Sequence, residues 1–286
     1  MLKSRGWIQG ISFVFFNLYW KFIFTLNLYQ GKLRGVCVPV LHCYACPMSW
    51  SSCPVGIVQH FLKKKIFPFY PLGILTVTGA ILGRATCGWI CPFGWIQKLL
   101  WKLGRPLRLP TLPLPHSLWW IKYLVIIVVI ALALLTPYPW FCKAFCPAGT
   151  LLGAVPLLAV VKDLRPLAGT FFYIKIAIIG VFIVLFLTSH RPFCRFFCPL
   201  GATLGLANRI SLMNIQLNEE KCTKCNICSE QCPMGLVPYK EAQSTNCIRC
   251  MECVKVCPTS ALSFVMGPGG IEQTRAEDQL KNSPTV

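Results

Sequence analysis

Four long apolar runs separated by cysteine-rich turns organise the first two hundred residues. They cover residues 7–29, 66–83, 118–135 and 170–188. Each is long enough, as a helix, to cross a hydrocarbon core about 30 Å thick. The first is aromatic and is interrupted by Asn17, Lys21 and Asn27. The second carries Pro68 and Pro71 in its first turns, where a missing N–H costs little. The third is mostly Val, Ile, Leu and Ala. A shorter run, residues 150–161, is broken by Gly153 and Pro156 and reads as a re-entrant or interfacial segment. The first run is too long and aromatic for the apolar part of a cleavable signal, so it is expected to remain as a helix.

The turns between these runs repeat. Within the first 212 residues the tetrad Cys-Pro-x-Gly begins at Cys53, Cys91, Cys146 and Cys198. Three copies have a second cysteine four positions earlier, at Cys87, Cys142 and Cys194, while the first copy instead has Cys43 and Cys46 upstream, with Cys37 before them. The unit is one helix, one cysteine-rich turn and one interfacial helix, and four copies fill residues 1–212.

After residue 212 the pattern changes. Cys222-x2-Cys225-x2-Cys228-x3-Cys232-Pro is followed by Cys247-x2-Cys250-x2-Cys253-x3-Cys257-Pro. Three thiolates two residues apart wrap one corner of a cubane cluster, and the fourth cysteine of each run ligates the other cluster. One [4Fe–4S] cluster is therefore expected on Cys222, Cys225, Cys228 and Cys257, and another on Cys247, Cys250, Cys253 and Cys232. Zinc sites need no doubled run with a crossing fourth ligand. Residues 213–266 form this small domain, and the polar residues 267–286, without apolar period, read as a flexible tail.

Composition agrees with a membrane setting. Of the 286 residues 55% are hydrophobic and only 13% charged, with a mean hydropathy of +0.59. The net charge of +19 sits at the ends of apolar runs. That placement points to anionic lipid and not to nucleic acid. Eighteen cysteines in closely spaced Cys-Pro motifs favour cluster ligation over a disulfide scaffold.

The C-terminal runs resemble the bacterial two-cluster ferredoxins at every ligand position. Together with the four apolar runs and the C-x3-C-P turns, they resemble the membrane ferredoxin-type proteins. That family includes the quinol dehydrogenase membrane component of periplasmic nitrate reduction. The resemblance implies an α-helical integral membrane protein with four transmembrane helices and a small α+β ferredoxin-like domain. It implies an oxidoreductase component that links quinone to a redox partner protein. The extra cysteines after the first and third runs depart from that family.

One helix between consecutive motifs makes them alternate between membrane faces. Cys87, Cys91, Cys194 and Cys198 then share the ferredoxin's face and suffice for a third cluster. Cys142 and Cys146 would meet Cys43, Cys46 and Cys53 on the other face, where four of the five suffice for a fourth. These ten cysteines also admit structural, redox-active or disulfide roles. Lys and Arg are balanced between the faces, so the positive-inside rule does not decide. Cluster assembly and thiol stability place the ferredoxin domain and both termini in the cytoplasm of a prokaryotic inner membrane.

Arg84 and Arg195 flank the nearer motif pair and Lys143 lies within the farther one. His42 and His60 are candidate proton relays, and Lys21, inside the first run, is a candidate quinone contact. Two other readings stay open: an electron-transfer anchor subunit with no quinone site, and a redox or metal-maturation factor.

Overall fold

The computed structural model describes residues 2–19, 21–25, 29–43, 45–110, 112, 115–167 and 169–267. The expected tail lies outside the described residues from position 268 on. The chain is mainly helical with one small sheet, and it divides into two compact units. The first comprises Lys3–Ile74 and Ile90–Leu200, the second Leu75–Trp89 and the chain from Gly201.

The first apolar run is not one helix. Helix α1 (Leu2–Phe16) stops before Asn17, whose side-chain amide donates to Phe13 O at 2.8 Å. This amide takes over a carbonyl of the last turn, which is how a helix end is closed. A short α2 (Lys21–Thr25) follows. Next come α3 (Pro54–Lys63) and α4 (Phe69–Leu82), then α5 (Ala85–Trp89) and α6 (Pro92–Gly104). Helix α7 (Ile121–Leu135) is preceded by a 3-10 turn over His116–Trp120.

Cys142 lies in a π-helical turn, Phe141–Phe145. Helix α8 (Pro147–Gly149) runs into a second π turn, Thr150–Ala154, and then α9 (Val155–Val160). The 19-residue α10 (Thr170–Thr188), α11 (Pro192–Phe196) and α12 (Pro199–Leu206) complete the repeat region.

Among the described residues, two helices are long and apolar enough to cross a membrane, His116–Leu135 and Thr170–Thr188. Helix α4, with 14 residues, spans only about 21 Å at 1.5 Å per residue. Four spans are therefore not seen as four long helices.

The Cys-Pro pairs at Cys53, Cys91, Cys146 and Cys198 each start a helix. Cys53, Cys91 and Cys146 are N-caps in extended conformation, with proline at the first helical position. Proline fits there because its ring presets φ and the missing N–H had no intrahelical partner. Within the first unit α6 packs on α10 so closely that a methyl on Gly104 would meet Leu187 O. Phe93 fills the contact, with ring centroids 5.9 Å from Phe186 and 5.4 Å from Phe193.

The second unit is built on strands β1 (Met213–Leu217) and β2 (Leu262–Met266). They pair antiparallel, Met213 opposite Met266 and Leu217 opposite Leu262. Two short helices, α13 (Ile227–Glu230) and α14 (Glu252–Val256), carry Cys228 and Cys253 into a core with Ile215 and Leu262. Residues Leu75–Trp89 belong to this unit. Buried Arg84 donates to Thr245 O at 3.3 Å and Asn246 O at 3.4 Å. Its backbone N–H donates to Asn208 Oδ1 at 2.8 Å.

Candidate metal centres

The second unit holds two cavities lined by thiols. One is lined by Cys232, Cys247, Cys250 and Cys253, together with Pro233 and Ile248. The other is lined by Cys222, Cys225, Cys228 and Cys257, with Tyr239 and Pro258. In each, three cysteines of one run meet the fourth cysteine of the other. This is the grouping that the crossing pattern anticipates.

The backbone explains how the runs wrap. Lys224 and Arg249, just before the middle cysteine of each run, adopt φ of 53° and 47°. Asn226 and Met251, just after it, adopt 62° and 60°. Left-handed residues on both sides of the middle thiol turn the chain around a centre, at a steric cost that L-residues seldom accept. Three residues past each fourth cysteine, Gly235 and Ser260 are left-handed too, at 68° and 51°. The two halves therefore repeat one backbone path.

The cavities suit anionic sulfur. Arg249 N–H donates to Cys247 Sγ at 3.4 Å and Ala261 N–H to Cys257 Sγ at 3.3 Å. Burial raises the Cys247 thiol to about 12, with the neighbouring Cys250 adding to the shift. Burial alone would raise Cys257 as well. N–H groups around it, led by that of Leu262, outweigh burial and lower its pKa. A thiol buried like that of Cys247 resists ionising unless a metal replaces the proton.

In the first unit Cys43, Cys53, Cys142 and Cys146 come together. Cys43 is raised to about 12 by burial, then by the adjacent Cys146 and, more weakly, by Cys46 and Cys53. Burial also raises Cys142 well above its usual range, with Cys146, Cys53 and Cys43 contributing. Backbone N–H groups of Val55 and Gly56 face Cys53, and those of Ala148 and Gly149 face Cys146. The Cys-Pro-x-Gly tetrad thus aims the first free N–H groups of a helix at its own cysteine. Cys46 points elsewhere, its thiol donating to Asn17 Oδ1 at 3.4 Å. Cys37 is bridged to Ser52, its backbone N–H bonded to Tyr70 Oη at 3.1 Å.

Cys91, Cys194 and Cys198 are buried in the first unit, and Cys87 is buried in the second. Among the described residues no disulfide joins the cysteines. Among the described residues no three Cys, His, Asp or Glu side chains converge tightly enough for a single metal ion. The ferredoxin thiols share that property, since sulfurs set around a cluster stand farther apart than sulfurs around one ion.

The other candidate residues divide. Lys21 is exposed at the start of α2, and His60 is exposed near the end of α3. Lys143 turns to aromatic rings, 4.0 Å from the Tyr138 centroid and 4.6 Å from that of Phe171. Buried His42 bonds Ser49 Oγ at 2.5 Å.

Two residues escaped the sequence reading. Gln59 Nε2 donates to Cys142 Sγ at 3.3 Å and Gln97 Nε2 to Cys194 Sγ at 3.2 Å. Each lies six positions after its tetrad cysteine. Aligning the copies on their tetrads brings the two amides into register, which is the signal that would have found them.

A 4Fe-4S dicluster domain family matches residues 221–262, and a 4Fe-4S binding domain family matches residues 67–110, 118–160 and 171–218. An uncharacterized protein of Methanocaldococcus jannaschii is 32% identical over 76% of this chain and 87% of its own length. The chain belongs to the membrane 4Fe-4S ferredoxin-type proteins. Within that family, the ferredoxin-type protein NapH of Escherichia coli is 26% identical over 64% of this chain and 63% of its own. The regulatory protein NosR of Pseudomonas aeruginosa is 28% identical over 62% of this chain and 25% of its own. No solved structure matches the chain. As a ferredoxin-type protein it is an electron-transfer protein with [4Fe–4S] cofactors. Neither domain match takes in Cys43, Cys46 or Cys53.

Proposed function

We propose that this protein is a membrane-embedded electron carrier linking the quinone pool to a redox partner through a chain of [4Fe–4S] clusters. The observation that carries the reading is the pair of thiol-lined cavities in one small unit, each drawing its fourth cysteine from the other run. Cys222, Cys225, Cys228 and Cys257 would hold one cluster, and Cys247, Cys250, Cys253 and Cys232 the second. A bound [4Fe–4S] cluster supplies one-electron redox chemistry. The chain's part is to hold the thiolates, direct N–H groups at them and limit water.

The membrane setting is supported by the apolar helices α7 and α10, whose flanks leave Ile127, Leu134, Val181 and Val184 exposed. Exposed apolar flanks on long helices suit lipid contact. On this reading the chain crosses the inner membrane four times, with the ferredoxin unit and both termini cytoplasmic. A third cluster on Cys87, Cys91, Cys194 and Cys198 rests on the C-x3-C-P spacing alone. The quinone end rests on the family resemblance, and Lys21 is its candidate contact.

Anaerobic mixing of the purified full chain with a quinol analogue, followed by electron paramagnetic resonance, tests the reading. Reduced-cluster signals are expected in the isolated chain. Reduction only after membranes containing a partner are added would replace the quinone role with that of an electron-transfer anchor subunit.

A further inference from the structure

We propose that Cys43, Cys53, Cys142 and Cys146 form a further iron–sulfur cluster site, with the Gln59 amide donating to Cys142 and with Cys37 and Cys46 outside the ligand set. The proposal rests on the reading of the chain as a [4Fe–4S] carrier. It concerns cysteines of the irregular first copy that neither domain match includes.

The geometry is specific to these four. Cys142 and Cys146 stand on the π turn and helix cap of the third copy. The loop bearing Cys43 lies against the turn that follows. Its Sγ is 3.7 Å from the place a methyl on Gly149 would take and 3.2 Å from that of a methyl on Gly153. Gly153, read from sequence as a helix break, instead leaves room for a sulfur. Cys53 completes the set from the cap of α3, and the same helix carries Gln59 one and a half turns later.

Gln59 is the second, independent observation. Its side chain is buried, and its amide donates to Val55 O at 3.2 Å and to Cys142 Sγ at 3.3 Å. A buried amide directed at a sulfur suits a metal-bound thiolate, the stronger acceptor. The second copy repeats the contact through Gln97 and Cys194. The third and fourth copies have Leu152 and Leu204 at that position. The amide therefore runs from the first copy to the third and from the second to the fourth, which pairs the tetrads and makes the contact systematic.

Charge also fits. Asp163 is the sole carboxylate side chain before Glu219, and it is exposed. Lys175 is among the charged groups whose electrostatic influence reaches Cys146. Four thiolates on an iron–sulfur core carry net negative charge, which a nearby ammonium favours.

The test is iron and acid-labile sulfide per full chain, purified anaerobically in detergent. Cys43→Ala and Cys142→Ala are each expected to lose about four irons relative to the parent, the content of one cubane. Cys37→Ala and Cys46→Ala are expected to keep the parent count. An unchanged count in Cys142→Ala, or an equal loss in Cys46→Ala, overturns the ligand set. A cysteine variant that fails to fold is covered by Gln59→Leu, which keeps every thiol. It should retain all iron and lower the midpoint potential of one cluster, because N–H···S bonds favour the reduced state. No spectral or potential change in Gln59→Leu overturns the site. Iron that all these variants leave intact removes this site alone, whereas a parent without iron and sulfide removes the family reading with it.

Discussion

At the scale of single residues, buried cations do much of the positioning. Arg249 sits between Cys247 and Cys250 and is buried. Its guanidinium donates to Asn214 Oδ1 at 3.1 Å, to Ser211 Oγ and to Asn208 O. Burial lowers its pKa to about 10, with Cys247 working in the opposite direction. Arg249→Met would strand three buried acceptors, each loss worth about 1–3 kcal/mol. The expected result is a large drop in the thermal midpoint of the ferredoxin unit, followed by its visible absorbance.

His190 belongs to a basic neighbourhood. Burial, then Arg191, Arg195, Arg5 and Lys98, hold its pKa well below the ordinary 6.5, and the Trp101 ring lies 4.5 Å away. A depressed folded-state pKa means that the unfolded chain binds the proton more readily. Stability is therefore full above about pH 6.5 and declines as pH falls below it. Thermal midpoints between pH 7.5 and 5 should fall in the parent and fall less in His190→Gln. Parallel slopes would contradict this assignment.

Among elements, legibility follows how local the determinants are. The cysteine sets that line the two cavities could be grouped from sequence because all eight lie within residues 222–257 and their spacing encodes the wrap. The grouping of Cys43 and Cys53 with Cys142 and Cys146 was anticipated only as four of five, because no spacing ranks Cys46 below the others. Asn17 decides that, by closing α1 and accepting from Cys46. The same residue breaks the first apolar run, which hydropathy treats as continuous. Gln59 and Gln97 were passed over because a polar residue on an apolar helix face reads as noise until copies are aligned.

The inclusion of Leu75–Trp89 in the second unit was not legible either, since it depends on close backbone approach. A methyl on Gly88 would run into Ile248 O. Trp89 Nε1 donates to Arg249 O at 3.0 Å. Gly88→Ala is expected to cost about 1–3 kcal/mol through overpacking. It should release iron from the ferredoxin unit at a lower denaturant concentration than in the parent.

For the whole molecule, the unequal exposure of the middle cysteines of the two runs sets an order of chemical damage. Cys225 is exposed, whereas its counterpart Cys250 is buried. Solvent access governs how readily an oxidant reaches a metal site. Air admitted to the anaerobic protein should therefore bleach the Cys222–Cys257 set first and the Cys247–Cys232 set later. The clusters of the ferredoxin unit are expected to bleach in two kinetic phases, with the fast one missing in Cys225→Ala, and a single phase from that unit in the parent would contradict the assignment. The left-handed turns make the two halves nearly alike in path, yet one half is built to meet the outside and the other to outlast it. A cell recovering from a burst of oxygen would then repair the outer centre while the inner one survives.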